Sequence, residues 1–393
     1  MKAKRFLAVL LVCALSFGAL AACDSEETYT AKNDKYVIGM SGPLTGDASV
    51  YGLAVQNGAQ LAVDEINANG GLNGVKFELV VKDDQRDPAL VADIYTALHA
   101  GGMQVSLGCV TTGPALKFKD LAAKDHVFFL TPSATGDAVV SESNGYQMCF
   151  ADGNQGQVAA AFVNENLAGQ TIGVLYKSDE NYSNGIYEQF KANLDETVTV
   201  VETSFTDVTA TNFSAQIEQM KDCKFIFMPI YYAPASVFMT QAKDILDPEA
   251  VYYGCDGFDG IDRLENFDLN TIPQKVTMLS HFNSKATIGK SAEFIAKYTE
   301  KYGRQTVNQF SASAYDCVYA IYGAMKAAVE GGKKIPVDIT ASELCKILKE
   351  QFDGGYVYTN GLTGESISWD ESGYVNKSAI QYVIKECTTP ETE

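Results

Sequence analysis

The chain has 393 residues, enough for two domains and a large core. A formal charge of -19, with 46% hydrophobic and 20% charged residues, excludes a disordered chain and argues against nucleic acid and against electrostatic docking on anionic lipid. Only three histidines occur, His99, His126 and His281, too scattered for a His-rich metal site.

Lys2, Lys4 and Arg5 open the chain, residues 6–20 are almost wholly apolar, and Leu20-Ala21-Ala22-Cys23 follows. This is the layout of an export signal over 1–22. The apolar run is too short for a comfortable membrane span of about 20 residues, and no later segment is long and apolar enough. The Leu-Ala-Ala-Cys ending resembles a bacterial lipobox, which implies that Cys23 is acylated and becomes the new N-terminus. An ordinary signal with a chance cysteine is the alternative. Residues 24–35 are polar and aperiodic, so 23–35 is expected to be a flexible lipidated tether. Loss of 1–22 removes three positive charges and leaves -22. Seven cysteines then remain besides Cys23: Cys109, Cys149, Cys223, Cys255, Cys317, Cys345 and Cys387. No C-x-x-C is present, which weakens metal and redox readings, and the scatter predicts buried apolar filler rather than a disulfide framework.

From residue 36 strand and helix patterns alternate. A strand over 36–40 precedes a helix over 51–69 with Leu53, Ala54, Val55, Leu61, Ala62 and Ile66 at helical spacing, stopped by Gly70-Gly71. A strand over 76–82 follows. Asp87-Pro88 then supplies a cap and a first-turn proline for a helix through His99. Residues 105–107 and 126–130 read as strands, with a helix over 116–124 between them. After Ala151-Asp152-Gly153-Asn154 the alternation restarts. Strands are expected at 171–176, 198–202, 225–230, 251–254 and 276–279, and helices at 157–166, 183–193, 213–220 and 235–246. Helices over 292–302, 312–330 and 342–352 follow, then strand-like stretches at 365–369 and 380–385. The pattern predicts an α/β chain of two doubly wound, parallel-sheet lobes joined by a multi-strand hinge. The expected division is 36–152 plus 283–376 for lobe 1 and 153–282 plus 377–393 for lobe 2. Ligands of such sheets sit outside the carboxyl ends of the strands, so two facing lobes make a cleft.

Catalytic signatures are missing. Gly289-Lys290-Ser291 looks like the end of a P-loop, but Ser284 stands where its first glycine belongs. No G-x-G-x-x-G, G-x-S-x-G or H-E-x-x-H occurs, so nothing in the sequence supports an enzyme. What does occur is small polar residues straight after strands. Val110-Thr111-Thr112-Gly113-Pro114 and Thr131-Pro132-Ser133-Ala134-Thr135-Gly136 both offer hydroxyls and backbone N–H groups, which suit a carboxylate. They would serve equally as ordinary helix caps.

The first strand runs into Gly39-Met40-Ser41-Gly42-Pro43-Leu44-Thr45-Gly46 and then Tyr51-Gly52. Asp64-Glu65-Ile66-Asn67 with Gly70-Gly71 follows, then Asp83-Asp84 with Asp87-Pro88, Leu130 to Thr135, and a closing segment with Gly364 and Trp369-Asp370-Glu371. Together these resemble the type I periplasmic binding proteins of the leucine/isoleucine/valine-binding branch, over essentially all of 36–385. The resemblance implies that Thr111 or Thr112, together with Ser133, Ala134 and Thr135, contacts the ligand from the first lobe. It implies Asp256 as partner of a ligand ammonium, one methylene shorter than the glutamate frequent in that family. Tyr51, Tyr182, Tyr231 and Phe282 would form an aromatic wall, although Tyr231 and Phe282 would also serve as core and Asp256 as a turn residue. An isolated buried charge is very costly, so a zwitterion needs partners at both ends.

The implied function is capture of a small amino acid, branched-chain or related, by hinge closure. An ABC permease with its ATPase would be the partner, a lipid anchor would hold the protein outside the cytoplasm, and the expected state is a monomer without metal or cofactor. Alternatives are a sensory ligand-binding subunit, or a binder of a small amide or an aromatic acid. A DNA-binding repressor on this fold would need a basic N-terminal helix-turn-helix where the export signal stands.

Overall fold

Two separate β-sheets organise the computed structural model, which describes residues 33–388. The chain starts with β1 (Tyr36–Gly42), α1 (Ser49–Ala68), β2 (Phe77–Asp83), α2 (Val91–Ala100), β3 (Val105–Cys109), α3 (Thr112–Lys124), β4 (Phe129–Thr131) and β5 (Gly145–Gln147). These strands form a parallel sheet in the order β2-β1-β3-β4-β5. Every residue of β1 and β3 is buried, as expected for central strands covered on both faces. The sequence gives no apolar run for β5. Its place beside β4 rests on Gly145, where a Cβ would fall 1.9 Å from the Phe129 ring. Asp87 caps the turn before α2 by accepting from the Ala89 amide at 2.8 Å.

The second sheet takes α4 (Asp152–Asn166), β6 (Thr171–Lys177), α5 (Asn181–Ala192), β7 (Thr199–Phe205), α6 (Ser214–Met220), β8 (Phe225–Met228), α7 (Tyr232–Ala242), β9 (Val251–Gly254) and β10 (Lys275–Ser280). Its order is β13-β10-β9-β8-β6-β7, with β13 (Ile380–Lys385) antiparallel on the edge and the rest parallel. Between β10 and β13 lie α8 (Gly289–Tyr302), α9 (Gln309–Glu330), α10 (Ala341–Asp353), β11 (Tyr358–Thr359) and β12 (Ser366–Ile367). The helices α8 and α9 return to α1 on the first sheet. A capping box between Asn308 and Ser311 starts α9 three residues before the apolar spacing suggests. Gly58 lets α1 approach α9 closely, since a Cβ there would meet the Ser311 carbonyl oxygen at 2.0 Å.

The chain passes between the sheets after β5, after β10 and before β13. The fold is therefore the α/β type expected from the alternation. Among the described residues no helix is long and apolar enough to cross a membrane, and no cluster of His, Cys, Asp or Glu is placed to hold a metal. Six of the seven cysteines are buried, Cys387 is half-buried, and none of them forms a disulfide. Cys23, the segment 1–22 and most of the tether lie outside the described residues. The tether's end does not read as free chain, because the Asn33 side chain donates to the Gly102 carbonyl at 2.9 Å.

Candidate functional site

Six strands of the two sheets end around one small cavity. From the first sheet, the turn after β1 leads to Tyr51 on α1, the turn after β3 carries Val110, Thr111 and Thr112, and the turn after β4 carries Ser133 and Thr135. From the second, the turn after β6 leads to Tyr182, the turn after β8 to Tyr231, and the turn after β9 to Asp256 and Gly257. Phe310 on α9 completes the lining, and the walls leave about 230 Å³ of empty space. The lining is drawn closely around that space, so the site suits something small.

One side of the cavity is neutral and polar. Thr111 precedes the 13-residue helix α3 in extended conformation without capping it through its side chain. The hydroxyls of Thr111 and Thr112 are buried and have no partner among the described residues. Two unsatisfied donors beside a helix N-terminus make a place for a carboxylate, because the amide dipoles there favour negative charge. The opposite side is acidic. Asp256 is 2% exposed, receives the Tyr182 hydroxyl at 2.6 Å, and is anchored by its own amide donating to Gln155 Oε1 at 2.9 Å. Burial pushes its carboxyl from 3.8 up to about 6, against bonds from Tyr182, Gln155 and the Gly257 amide that favour the ion. No Lys or Arg lines the cavity.

A second carboxyl stands behind this wall. Asp152 opens α4, its Oδ1 accepts from Gln155 Nε2 at 3.4 Å, and its buried Oδ2 has no partner among the described residues. Burial and then the neighbouring Asp256 push Asp152 well above the usual carboxylate range. Asp152 and Asp256 thus form a buried pair of carboxyls, each pushed by burial towards its neutral form.

The rings are fitted to one another. Tyr182 and Tyr231 stack at 4.5 Å with their planes 5° apart. Tyr51 touches Tyr231 at 5.5 Å and meets the Phe310 edge at 5.2 Å. Its hydroxyl donates across to the Gly257 carbonyl at 2.5 Å and lies 3.4 Å from the Tyr232 amide. Tyr51 thus ties the first sheet's side to the second's.

Eight of the ten residues named from the sequence line this cavity: Tyr51, Thr111, Thr112, Ser133, Thr135, Tyr182, Tyr231 and Asp256. Two do not. The Ala134 amide donates to Thr131 Oγ1 at 3.1 Å and its carbonyl accepts from Gln147 Nε2 at 3.0 Å, so it shapes the turn while its methyl joins the core under α3. Phe282 is core as well. Its ring packs edge-on against Phe294 at 5.9 Å, and its amide returns to Ser280 Oγ at 3.2 Å. The aromatic that does line the cavity from α9 is Phe310, whose signal was the Asn308–Ser311 capping box rather than apolar spacing. Asp152 sat in a stretch that reads as a joint between lobes, and only its burial beside Asp256 reveals it.

This architecture is shared with known proteins. The family model described as periplasmic binding protein matches residues 35–359, and the chain belongs to that family. Within it the chain is a type I protein of the leucine/isoleucine/valine branch. It is 29% identical over 270 residues to the Leu/Ile/Val-binding protein BraC3 of Rhizobium johnstonii, covering 67% of this chain and 69% of that one. Two further curated relatives are matched over only 57% and 59% of their length. Among solved structures, the branched-chain amino acid transporter substrate binding protein LivJ of Streptococcus pneumoniae, in complex with isoleucine, superposes with a TM-score of 0.75 at 27% identity. The match covers 91% of this chain and all (100%) of LivJ. A solute binding protein of an ABC transporter from Rhodopseudomonas palustris, in complex with 3,4-dihydroxybenzoic acid, gives 0.74 at 19% identity over 90% and 94% of the two chains, which speaks for the fold alone. The family and fold are those of extracytoplasmic substrate-binding proteins of transporters, not of enzymes.

Proposed function

We propose that the protein captures a small zwitterionic amino acid, branched-chain or similar, between two lobes and hands it to an ABC permease and its ATPase. The lobes are 36–152 plus 283–376 and 153–282 plus 377–393. The observation that carries this reading is the polarity of the cavity. Two unpartnered threonine hydroxyls at a helix N-terminus face one end of a solute, and a buried carboxylate without a basic neighbour in the lining faces the other. An α-carboxylate fits the first and an α-ammonium the second, and Tyr51, Tyr182, Tyr231 and Phe310 cover the side chain. Lobe closure follows from contacts made only when the lobes meet, such as Tyr51 to Gly257. Acylation at Cys23 would hold the mature chain, acting as a monomer, on the outer side of a membrane.

A second reading is an acid with an uncharged ring in the same cavity, such as the 3,4-dihydroxybenzoic acid bound by the Rhodopseudomonas protein. Such a ligand has no ammonium and would leave Asp256 facing nothing positive. A thermal-shift and calorimetric panel of amino acids against hydroxybenzoates separates the two, since a binder raises the unfolding temperature by mass action. Stabilisation by leucine, isoleucine or valine supports the amino-acid reading, and response to benzoates alone replaces it.

A further inference from the structure

The turn after β2 holds two successive non-glycine residues in the left-handed region, Gln85 at φ 52° and Arg86 at φ 63°. One such residue is uncommon and two together need holding. Both are held from within the first lobe. Asp83 Oδ1 accepts from the Gln85 amide at 3.0 Å, and Asp84 Oδ1 accepts from the Arg86 amide at 2.9 Å. Asp84 is itself buried and takes the Ser41 hydroxyl on its other oxygen at 2.8 Å. The turn is built to project Arg86 whether or not the second lobe is near.

Arg86 reaches across the mouth of the cleft. Its Nη1 lies 3.2 Å from Glu180 Oε1 at the start of α5, and its guanidinium carbon lies 5.7 Å from the centre of the Tyr231 ring. Its Nη2 stays on its own lobe, 3.4 Å from Asp47 Oδ2. The side chains of Arg86 and Glu180 are only 21% and 16% exposed, so solvent screens this pair less than an ordinary surface pair. The three groups line an outer depression of about 550 Å³ that shares Thr111 and Tyr231 with the inner cavity. Opening the lobes would cost Arg86 both Glu180 and Tyr231, whereas Glu180 would keep Lys177, 3.7 Å away on its own lobe.

We propose that Arg86 is a positioning residue that latches the lobes shut, through Glu180 and the back of the Tyr231 ring, and so sets how long a captured solute stays. This rests on the capture function proposed above. Only interactions present in one of two states shift their balance, and parting the lobes would break this pair.

The test measures closure with and without solute in the full mature chain. Paramagnetic labels on one lobe report the closed fraction of the ligand-free protein through relaxation of nuclei on the other. Stopped-flow displacement reports the dissociation rate of leucine. Arg86→Asn is the first variant, because asparagine tolerates the left-handed backbone and leaves the turn intact. Glu180→Gln approaches the same pair from the other lobe. Each is expected to lower the ligand-free closed fraction and to speed leucine release about tenfold, equivalent to about 1.4 kcal/mol. The double variant should add little to either. Higher salt should speed release from the wild type and not from the variants. An unchanged closed fraction and release rate in both variants, or effects that simply add, would overturn the latch. The ligand-free arm needs no solute, so failure to bind amino acids would sink the capture reading while the closed fraction still decides this one.

Discussion

Replacing Asp256 by asparagine removes one charge and changes little else. Asparagine keeps the size of the side chain, and its Oδ1 can still accept from the Tyr182 hydroxyl, now at 2.6 Å. A ligand ammonium would then sit buried beside a neutral amide, with no Lys or Arg charge in the lining for or against it. Truncating one partner of a buried charge pair costs about 2–5 kcal/mol, roughly thirtyfold to several-thousandfold in affinity. The same substitution should act in the opposite direction on the ligand-free fold. Burial raises the Asp256 carboxyl from 3.8 to about 6. A raised folded value means that the neutral form is the preferred one. Its stabilising contribution is complete below about pH 4 and is lost as pH rises through about 6. At pH 8 the wild type carries that cost as a buried ion, and Asp256→Asn should relieve it, by up to roughly 3 kcal/mol. Asp84, also raised to about 6 by burial, adds pH dependence of the same sign in both proteins. Calorimetric titration with leucine from pH 8 to pH 5, beside denaturant unfolding, reads both effects. Wild-type affinity should fall below about pH 6 by up to tenfold per unit as the carboxylate protonates, and the variant should bind weakly and evenly throughout. Strong binding by Asp256→Asn, or wild-type binding that is flat to pH 5, would refute the charge pairing.

The two unpartnered hydroxyls make a complementary test. Thr111→Val and Thr112→Val leave no buried partner unsatisfied, so ligand-free stability should stay within about 0.5 kcal/mol while affinity for leucine drops about tenfold at whichever position contacts it. Wild-type affinity in both variants would move the carboxylate elsewhere. Tyr51→Phe removes the hydroxyl bridging to Gly257 and should weaken leucine binding by about 1 kcal/mol with the fold intact, and an unchanged dissociation constant would remove that bond from closure. Gly58→Ala puts a Cβ 2.0 Å from the Ser311 carbonyl oxygen, so α1 and α9 must part, and urea unfolding should show a loss of about 1–3 kcal/mol. A neutral outcome would mean that the two helices are less tightly seated than their geometry requires.

The alternation of apolar runs made most of the fold readable, because buried parallel strands such as β1 and β6 contain continuous apolar stretches, 36–40 and 172–175, bounded by polar residues. The short β5 was not readable. Its three residues are held by a glycine's clearance under Phe129, a tertiary fact with no local pattern. Helices that bear on the cavity began earlier than their apolar spacing, at Thr112, Asp152 and Gln309, because their first turns are polar and serve the site. That displacement hid Phe310. Phe282, which the resemblance named, does not line the cavity, since an aromatic next to a strand end packs on the core as readily as on a ligand. The acid at position 256 was legible only through the family resemblance. Its partner Asp152 was not, because the closeness of two carboxyls on different turns is a property of the folded chain.

The most direct measurement is the structure of the protein crystallised with leucine. The carboxylate is expected against the Thr111 and Thr112 hydroxyls, the ammonium against Asp256, and the side chain among Tyr51, Tyr182, Tyr231 and Phe310. Leucine bound in reversed orientation, or outside this cavity while it stays filled by its own side chains, would contradict it.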